Sequence, residues 1–381
     1  MKTYKIITLG ASGAGKTVFL ASMFKALSIQ GDYTFFLEVE DQARRKRLNA
    51  IYTQVITADN WPEGTKYGDV SEWTFNCRVK VPTLDTYTAC QFTYFDYAGG
   101  RLIDSEEDAE FTNIVQESST ILGLLDGKKI YSLMKDSNDL AVNIFLNKDL
   151  PNILKWMNTS RVPIHFVISK WDLIENEFSL RQVRERLLKI PAFEELIHIR
   201  NHANSPVRLI PVSSIGSGFA IPQPDGSMKK ISGAIPDPFQ VEVPLACVLP
   251  DGLQARLSEV KEKQQEIEKT SKSKPNIFSN VLVFVGKAAQ ISINVASWAF
   301  IPPEFQVEKA LLHKLSESIG LGLEGRRKAS IEREEKLNQE RNASLKLVKD
   351  EETALMHAVD NFAVIQNKFE RVFPDSELIL M

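Results

Sequence analysis

The feature that most constrains the fold is a glycine-rich stretch near the start of the sequence. Residues 10–17 read GASGAGKT, which matches the phosphate-binding pattern G-x-x-x-x-G-K-[ST] at every fixed position. The apolar residues 6–9 precede it directly, and an apolar-rich stretch follows it. A strand that ends in such a loop and opens a helix aims several backbone N–H groups and the helix dipole at one point. The stretch therefore predicts a phosphate-binding loop between a strand and a helix.

Each residue type in this loop has a chemical reason. The glycines let the backbone approach phosphate oxygens without a Cβ clash. Lys16 is expected to reach the β- and γ-phosphates of a nucleotide, and the Thr17 hydroxyl is expected to ligate Mg²⁺. The residues expected to hold the phosphates are Gly10, Ala11, Ser12, Gly13, Ala14, Gly15, Lys16 and Thr17.

Three further segments lie at the ends of predicted strands. They read DYAG at residues 96–99, SKWD at 169–172 and SSI at 213–215. Ligands bind beyond the carboxyl ends of parallel strands, so we expect these segments to meet the phosphate loop in one crevice. The carboxylate of Asp172 can accept two hydrogen bonds from guanine, whereas adenine presents an acceptor there and would leave the carboxylate unpaired. The predicted base is therefore guanine.

The order and position of these segments resemble the G-boxes of the translation-factor-like class of GTPases, which contains the Ras-like proteins. The resemblance covers residues 1 to about 270. It implies that Asp96 holds Mg²⁺ through water and that the Gly99 N–H senses the γ-phosphate. It also implies a base-binding set in which the Lys170 stem lies over the base and two serines offer backbone N–H groups to guanine O6. This set comprises Ser169, Lys170, Asp172, Ser213, Ser214 and Ile215.

Two positions depart from the family pattern. Ser169 stands where Asn or Thr is usual, and its hydroxyl can still bond to the phosphate loop, which predicts weaker positioning of the base loop with unchanged specificity. Gly100 stands where Ras-like proteins carry the Gln that orients the attacking water. Gly13 occupies the place of the Asn that holds potassium in some GTPases without this Gln. We therefore expect slow hydrolysis, with Arg101 either stabilising transition-state charge or acting as a solvated switch residue.

A threonine is also required to cover Mg²⁺ when the γ-phosphate is present. Residues 60–65, NWPEGT, form a polar, turn-rich stretch where the first switch belongs. Thr65 is the candidate, Thr57 is the rival, and an ordinary loop threonine is the third interpretation. The candidate catalytic residues are thus Lys16, Thr65, Gly99, Gly100 and Arg101, and the candidate metal ligands are Thr17, Thr65 and Asp96.

The sequence is also similar to a bacterial branch of these GTPases found in defence or conflict loci. The motifs that carry this similarity are the phosphate loop, PEGT at 62–65, DYAGGR at 96–101 and SKWD at 169–172. At 381 residues the chain is long enough for two domains. Alternating strands and helices predict an α/β fold, a Ras-like P-loop GTPase domain with a mostly parallel sheet. The predicted strands are 5–9, 34–39, 73–81, 86–95, 120–125, 164–169 and 207–212.

Residues 82–85 form so short a link that the strands on either side must be an antiparallel hairpin. We place this hairpin at the sheet edge, between the two switches, as in the Ras-like fold. Residues near 32–59 and 216–242 are extra compared with a minimal domain. The first insertion predicts a strand and a basic helix, RRKR at 44–47, whose charges are a solvated face or a partner or membrane contact. The second is proline-rich and predicts a long loop.

The predicted GTPase domain ends with a helix over 243–269, and residues 270–381 form a helical C-terminal domain. Residues 276–301 are mainly apolar with a polar stripe, which indicates a helix in a small bundle, a membrane-surface helix or, least favourably, a membrane-spanning helix. Residues 327–373 predict one helix whose apolar seam packs on the preceding helices or in a homodimeric coiled coil. The seam comprises Leu345, Val348, Leu355, Val359, Phe362, Phe369 and Val372.

Composition limits the partners. A net charge of −3 argues against a dedicated nucleic-acid binder, whose domain would be basic. The three cysteines are far apart in the sequence, which suits a reducing cytosol, and the first residues lack the pattern of a cleavable signal. We therefore expect a cytoplasmic protein, or one that is peripheral at a membrane.

Together, these features predict a GTP-binding molecular switch that hydrolyses GTP slowly to GDP and phosphate with Mg²⁺. The nucleotide state is expected to control contacts of the helical tail with a protein partner or a second copy. Two other classes stay open. One is a nucleotide-bound scaffold that does not hydrolyse, and the other is a membrane-associated GTPase whose tail inserts into lipid.

Overall fold

The computed structural model describes residues 1–31, 33–64, 70–97, 109–136, 139–203, 205–223, 227–255 and 331–379. These residues form an α/β structure around a mixed, mostly parallel sheet of seven strands, which confirms the predicted α/β class and the mostly parallel sheet. The order across the sheet is β2-β3-β4-β1-β5-β6-β7. The strands are β1 (Thr3–Gly10), β2 (Phe36–Glu38), β3 (Val70–Lys80), β4 (Thr86–Tyr97), β5 (Thr120–Leu125), β6 (Ile164–Ile168) and β7 (Val207–Pro211).

Helices fill most connections between the strands. A π-helical turn at Phe145–Asp149 joins α5 to α6, and a 3-10 turn at Trp171–Leu173 follows β6. The helices are α1 (Lys16–Leu27), α2 (Gln42–Thr57), α3 (Ala109–Glu117), α4 (Gly127–Met134), α5 (Leu140–Ile144), α6 (Leu150–Asn158), α7 (Leu180–Leu188), α8 (Pro191–His202), α9 (described over 243–255), α10 (Ile331–Lys346) and α11 (Glu351–Val372).

The parallel part of the sheet comprises β4, β1, β5, β6 and β7, which pair side by side. Successive residues of these strands enter two different cores. Ile6 belongs to the core under α1, α9 and α11, whereas Ile7 belongs to the core under α3, α4 and α6 to α8. Burial on both faces explains why the strands are continuous apolar runs. The carboxyl ends of all five strands therefore open at one edge of the sheet.

The predicted hairpin is present, but its predicted place at the sheet edge is wrong. β3 and β4 pair antiparallel along their whole length. β2, from the first insertion, pairs antiparallel with β3 on the other side, so β2 is the edge strand. The insertion thus extends the sheet by one strand beyond the hairpin.

The two insertions have different outcomes. The first contains the predicted strand and basic helix, and the carboxylate of Asp41 caps α2 by accepting from the Arg44 N–H at 2.9 Å. The basic residues 44–47 are exposed. The second insertion is not only a loop, because it contains a hairpin of β8 (Ala220–Pro222) and β9 (Met228–Lys230). Backbone pairing therefore orders part of a stretch whose proline content predicted irregular structure.

The helix predicted over 327–373 is two helices, α10 and α11, with a break at residues 347–350. The cause is a capping box. The Asp350 carboxylate accepts from the Thr353 N–H at 2.8 Å, and the Thr353 hydroxyl oxygen accepts from the Asp350 N–H at 3.1 Å. The start of the predicted helix and the predicted domain boundary at 269/270 lie outside the described residues.

The apolar seam of α11 packs on the sheet as well as on α10. Phe362 is fully buried, with its ring 4.9 Å from that of Phe35 and 6.0 Å from that of Phe92. The seam prediction is wrong at Val372, which is 58% exposed. The described part of the tail therefore shares one core with α1, α9 and the strands.

A buried ionic network fixes the carboxyl-terminal half of α11. The Arg208 guanidinium of β7 donates to both carboxylate oxygens of Asp251 at 2.6 and 2.9 Å and to Glu370 of α11 at 2.9 Å. Gln366 also donates to Asp251, at 2.9 Å. Burial alone would raise the pKa of Asp251, but the Arg208 charge brings it below its ordinary value. Removing one partner would leave an uncompensated buried charge, so this network opposes detachment of α11.

Polar contacts also hold the amino-terminal half of α11. The Thr34 hydroxyl, in the segment before β2, lies 2.7 Å from His357 Nε2 and donates to Asn361 at 2.9 Å. The Ser344 hydroxyl of α10 lies 2.9 Å from His357 Nδ1. One imidazole therefore joins both tail helices to the sheet domain.

We expect Phe362→Ala to destabilise the whole fold by about 3–5 kcal/mol, because it opens a cavity between α11 and the sheet. Val372→Ala is the matched control in the same helix, and it should change the free energy of unfolding by less than about 0.5 kcal/mol. Urea unfolding followed by circular dichroism gives both values. Equal effects of the two substitutions would show that α11 does not belong to the core.

Candidate functional site

Loops at the carboxyl ends of β1, β6 and β7 line one cavity of about 450 Å³, a volume typical of small-molecule sites. Both predicted groups of residues, the phosphate loop and the base loops, contribute to its walls. The predicted residues that line it are Ser12, Gly13, Ala14, Gly15, Lys16, Thr17, Ser169, Lys170, Asp172, Ser214 and Ile215.

The glycine-rich loop has a backbone that requires glycine at two positions. Gly13 and Gly15 have φ angles of 79° and 94°, which L side chains rarely adopt. α1 begins directly after Gly15, at Lys16. The first N–H groups of a helix have no carbonyl partner within the helix and carry the positive end of its dipole. This end of α1 faces the cavity and is suited to an anion.

The Lys16 ammonium lies across the loop. It donates to the carbonyl oxygens of Gly10 at 2.7 Å and Ala11 at 3.1 Å. Burial lowers the pKa of Lys16 below its ordinary value, and the nearby carboxylates Asp96 and Asp149 oppose that shift. An anion in the cavity would give this partly desolvated cation a stronger partner than the two neutral carbonyls.

Two of the predicted metal ligands lie together. The Thr17 hydroxyl donates to an Asp96 carboxylate oxygen at 3.4 Å, and Asp96 is buried at the end of β4. A hydroxyl beside a carboxylate is a donor set that Mg²⁺ accepts, with waters and phosphate oxygens completing its octahedron. In the part of the chain that the structure covers, no cluster of three His, Cys, Asp or Glu side chains forms a metal site.

The structure describes one of the two threonines considered for the first switch. Thr65 lies outside the described residues, but Gly64, directly before it, lines the cavity. The rival Thr57 is exposed at the end of α2, where its hydroxyl donates to the Thr53 carbonyl at 2.9 Å. Thr57 does not line the cavity. The predicted catalytic residues Gly99, Gly100 and Arg101 also lie outside the described residues.

Lys170 connects the two halves of the cavity. Its ammonium donates to the Gly13 carbonyl of the phosphate loop at 2.9 Å and to the Asp126 carboxylate at 2.8 Å. Asp126 caps α4 by accepting from the Lys128 N–H at 3.1 Å. The backbone of Lys170 is left-handed, with φ at 52° and ψ at 41°. A non-glycine residue in this region is uncommon and is often found at ligand sites.

The carboxylate of Asp172 is half-buried and oriented by Ser213. The Ser213 hydroxyl donates to Asp172 and accepts from the Gly216 N–H at 2.9 Å. Burial raises the pKa of Asp172, and the hydrogen bond from Ser213 opposes that shift. The backbone N–H of Ser213 donates to the Phe239 carbonyl at 3.0 Å rather than facing the cavity as expected. Ser213 therefore positions the carboxylate.

Ser169 also differs from expectation. Its hydroxyl donates to the Leu125 carbonyl of β5 at 3.1 Å, and the tie to the phosphate loop comes from Lys170 instead. The Ser169 backbone packs closely against Gly127, the first residue of α4. A Cβ at position 127 would lie 1.9 Å from the Ser169 carbonyl oxygen. The backbone geometry of residues 169–172, the predicted base loop, thus depends on the absence of a side chain at position 127.

Sequence reasoning missed an apolar part of the cavity wall. Trp61 lies within residues 60–65, the stretch predicted to contain the first switch, so its position in the sequence was a usable signal. Met228 lies in the second insertion and carries no local signal at all. The lining residues that were not predicted are Val18, Trp61, Pro62, Gly64, Tyr97, Ser227 and Met228.

No protein-family model and no curated protein matches this sequence. None of the helices described in the structure is both long and apolar enough to cross a membrane. The function of this protein is therefore inferred from the chemistry of the cavity.

For the guanine nucleotide that the sequence predicts, we expect Gly127→Ala to weaken binding of a fluorescent form at least about tenfold, because the new methyl group must displace the backbone of Ser169 and Lys170. Gly31→Ala is the control, since a Cβ at position 31 meets nothing within 4 Å. Equilibrium fluorescence titration measures the affinities, and thermal unfolding checks that both variants fold. An unchanged affinity for Gly127→Ala would contradict the role given to the base loop.

Proposed function

We propose that this protein is a guanine-nucleotide-dependent molecular switch of the Ras-like P-loop GTPase class that hydrolyses GTP slowly. One observation carries the proposal. A single cavity is lined by the GASGAGKT loop on one side and by Lys170, Asp172 and Ser214 on the other. An anion site and an oriented carboxylate in one cavity match a ligand that carries phosphates at one end and a hydrogen-bond donor edge at the other.

The phosphate end would be held by electrostatics. The amino terminus of α1 and the Lys16 ammonium supply positive charge in a partly buried site, where charge-assisted hydrogen bonds are strong. Thr17 and Asp96 are the described residues that would hold Mg²⁺, which neutralises charge between the β- and γ-phosphates when bound. Lys16 must leave two backbone carbonyls to reach the phosphates, so binding exchanges neutral acceptors for charged ones.

The base end would be selected by Asp172. Its carboxylate accepts hydrogen bonds and donates none while ionised, which fits the N1–H and N2–H₂ edge of guanine. Adenine would leave this half-buried carboxylate without partners, at a cost of about 1–3 kcal/mol or more. Ser213 fixes the orientation of the carboxylate, and the Lys170 stem would lie over the base.

The switching part of the proposal concerns loops at the edge of the cavity. A γ-phosphate would order Thr65 and the segment from Asp96 to Arg101, and hydrolysis would release both. The described tail helices are held to the sheet at both ends of α11. We therefore propose that contacts with a protein partner or a second copy are made by the switch loops or by residues 256–330.

The membrane-associated alternative depends on residues 276–301, which lie outside the described residues. The cytoplasmic location and the relation to defence loci remain parts of the same proposal.

Two substitutions test ligand identity. Lys16→Ala should weaken GTP and GDP binding by at least about 1.5–3 kcal/mol, because it removes a charge-assisted contact with phosphate. Asp172→Asn should weaken guanine nucleotides and favour xanthine nucleotides, because the amide can donate to the additional base carbonyl. Isothermal titration calorimetry with GTP, GDP, XDP and ADP measures both effects. Equal affinity of the unsubstituted protein for ADP and GDP would overturn the guanine assignment.

A nucleotide-bound scaffold that never hydrolyses GTP is the second candidate, and Gly100 is the observation that favours it. Ras-like domains that have the Gln but no partner hydrolyse GTP at on the order of 10⁻⁴ to 10⁻³ per second. We expect a comparable or lower rate here, with Lys16→Ala as the control for contaminating activity. Single-turnover phosphate release measures it. A rate near zero would favour the scaffold, and a rate of about one per second in the monomer would show that another residue replaces the Gln.

A further inference from the structure

The second insertion returns to the candidate site. Met228, at the start of β9, lines the same cavity as the phosphate loop and Asp172. Trp61, from the segment that follows α2, lies beside it in the wall. Both side chains belong to a small apolar cluster that includes Val55, Ile215 and Phe219. Two segments that are far apart in the sequence therefore build one wall of the cavity.

Lys230 holds these two segments together. Its ammonium donates to three carbonyl oxygens, of Ala58 at 2.6 Å, Gln54 at 3.0 Å and Asn60 at 3.1 Å. These carbonyls lie at or just beyond the carboxyl end of α2, where the helix dipole favours a cation. The ammonium also lies 4.7 Å from the centre of the Trp61 ring, within the range of a cation–π interaction.

Contacts with residues of the β8–β9 hairpin and with Phe219, directly before it, also hold Trp61 in place. Its indole N–H donates to the Met228 carbonyl at 2.6 Å, and its ring meets that of Phe219 edge-on at a centroid distance of 6.3 Å. An indole held by a hydrogen bond, an aromatic contact and a cation has little freedom to rotate. We call Lys230, Trp61 and Met228 the latch.

We propose that the latch is a nucleotide-retention element, in which Trp61 and Met228 contact the base or ribose and Lys230 sets the rate of nucleotide release. This inference rests on the proposed function. A flat indole and a flexible thioether form an apolar wall suited to the face of a base or to a sugar. The wall stays against the ligand only while the hairpin and the end of α2 remain joined. Weakening the joint should therefore speed release more than it slows capture.

The chain offers a matched pair of substitutions for the test. Lys230→Met removes the cation from the three carbonyls, and Lys229→Met makes the same chemical change at the exposed neighbouring residue of β9. Each variant is loaded with fluorescently labelled GDP and chased with excess unlabelled GDP in a stopped-flow instrument. We expect Lys230→Met to release the nucleotide at least about tenfold faster, and Lys229→Met to stay within about twofold of the unsubstituted protein.

Three further measurements test the latch and separate retention of the nucleotide from a general loss of structure. The association rate should change less than about threefold in Lys230→Met, since most effects of such contacts fall on dissociation. Lys230→Arg keeps a cation at the same place and should restore part of the slow release. Trp61→Phe keeps an aromatic ring but loses the N–H to Met228, and it should also accelerate release.

Equal rates of nucleotide release in Lys230→Met and Lys229→Met would overturn the proposed role of the latch. The proposal that the protein binds guanine nucleotides would still stand. If Lys230→Met does not fold, the release rate of Trp61→Phe decides in the same way. Failure of the unsubstituted protein to bind any guanine nucleotide is a different result, which overturns the proposed function itself.

Discussion

The candidate site depends on one topological constraint, the parallel pairing of β1, β5, β6 and β7. Parallel neighbours end at the same edge of a sheet, so the residues that follow them meet although they are far apart in the sequence. Lys170 holds these loops in a defined arrangement, because its ammonium donates both to the Gly13 carbonyl of the phosphate loop and to the carboxylate of Asp126, which caps α4. This bridge helps to fix the distance between the two predicted halves of the site, the phosphate loop and the segment that carries Asp172.

The parts of the site that sequence could predict are those whose chemistry is local. The phosphate loop and SKWD are short motifs, and each places its own side chains at a strand end. The N–H of Ser213 could not be predicted to pair with Phe239, and nothing near Met228 indicates that it reaches Trp61, because those contacts are made by tertiary packing. The break before α11 is a different case. Asp350 and Thr353 have the spacing of a capping box, so a helix start at this point could be predicted from the sequence. The apolar seam runs through both helices, and it led to the prediction of a single helix over 327–373.

Charge explains why the described tail is part of the sheet domain rather than an appendage. Arg208 and Asp251 are each only 1% exposed, and both bond to side chains of α11. Burial lowers the pKa of His165 to about 4, so this imidazole is neutral at pH 7 although its Nε2 lies 3.5 Å from Asp251. Glu370 of α11 pairs with Arg208 and also lies 4.0 Å from the guanidinium of Arg333 in α10. Lifting α11 would leave Arg208 and Asp251 without their partners on that helix.

The contact between Thr34 and Asn361 joins residues that are 327 positions apart, and this has a consequence for biosynthesis. Every described residue that lines the candidate cavity precedes α11 in the chain, yet α11 completes the core on one face of the sheet. At common rates of translation, a ribosome needs on the order of 10 s to add the residues between Met228 and Phe362. During that interval the nascent chain already contains all the described lining residues, but the helix that covers Phe35 and Phe92 has not yet been made.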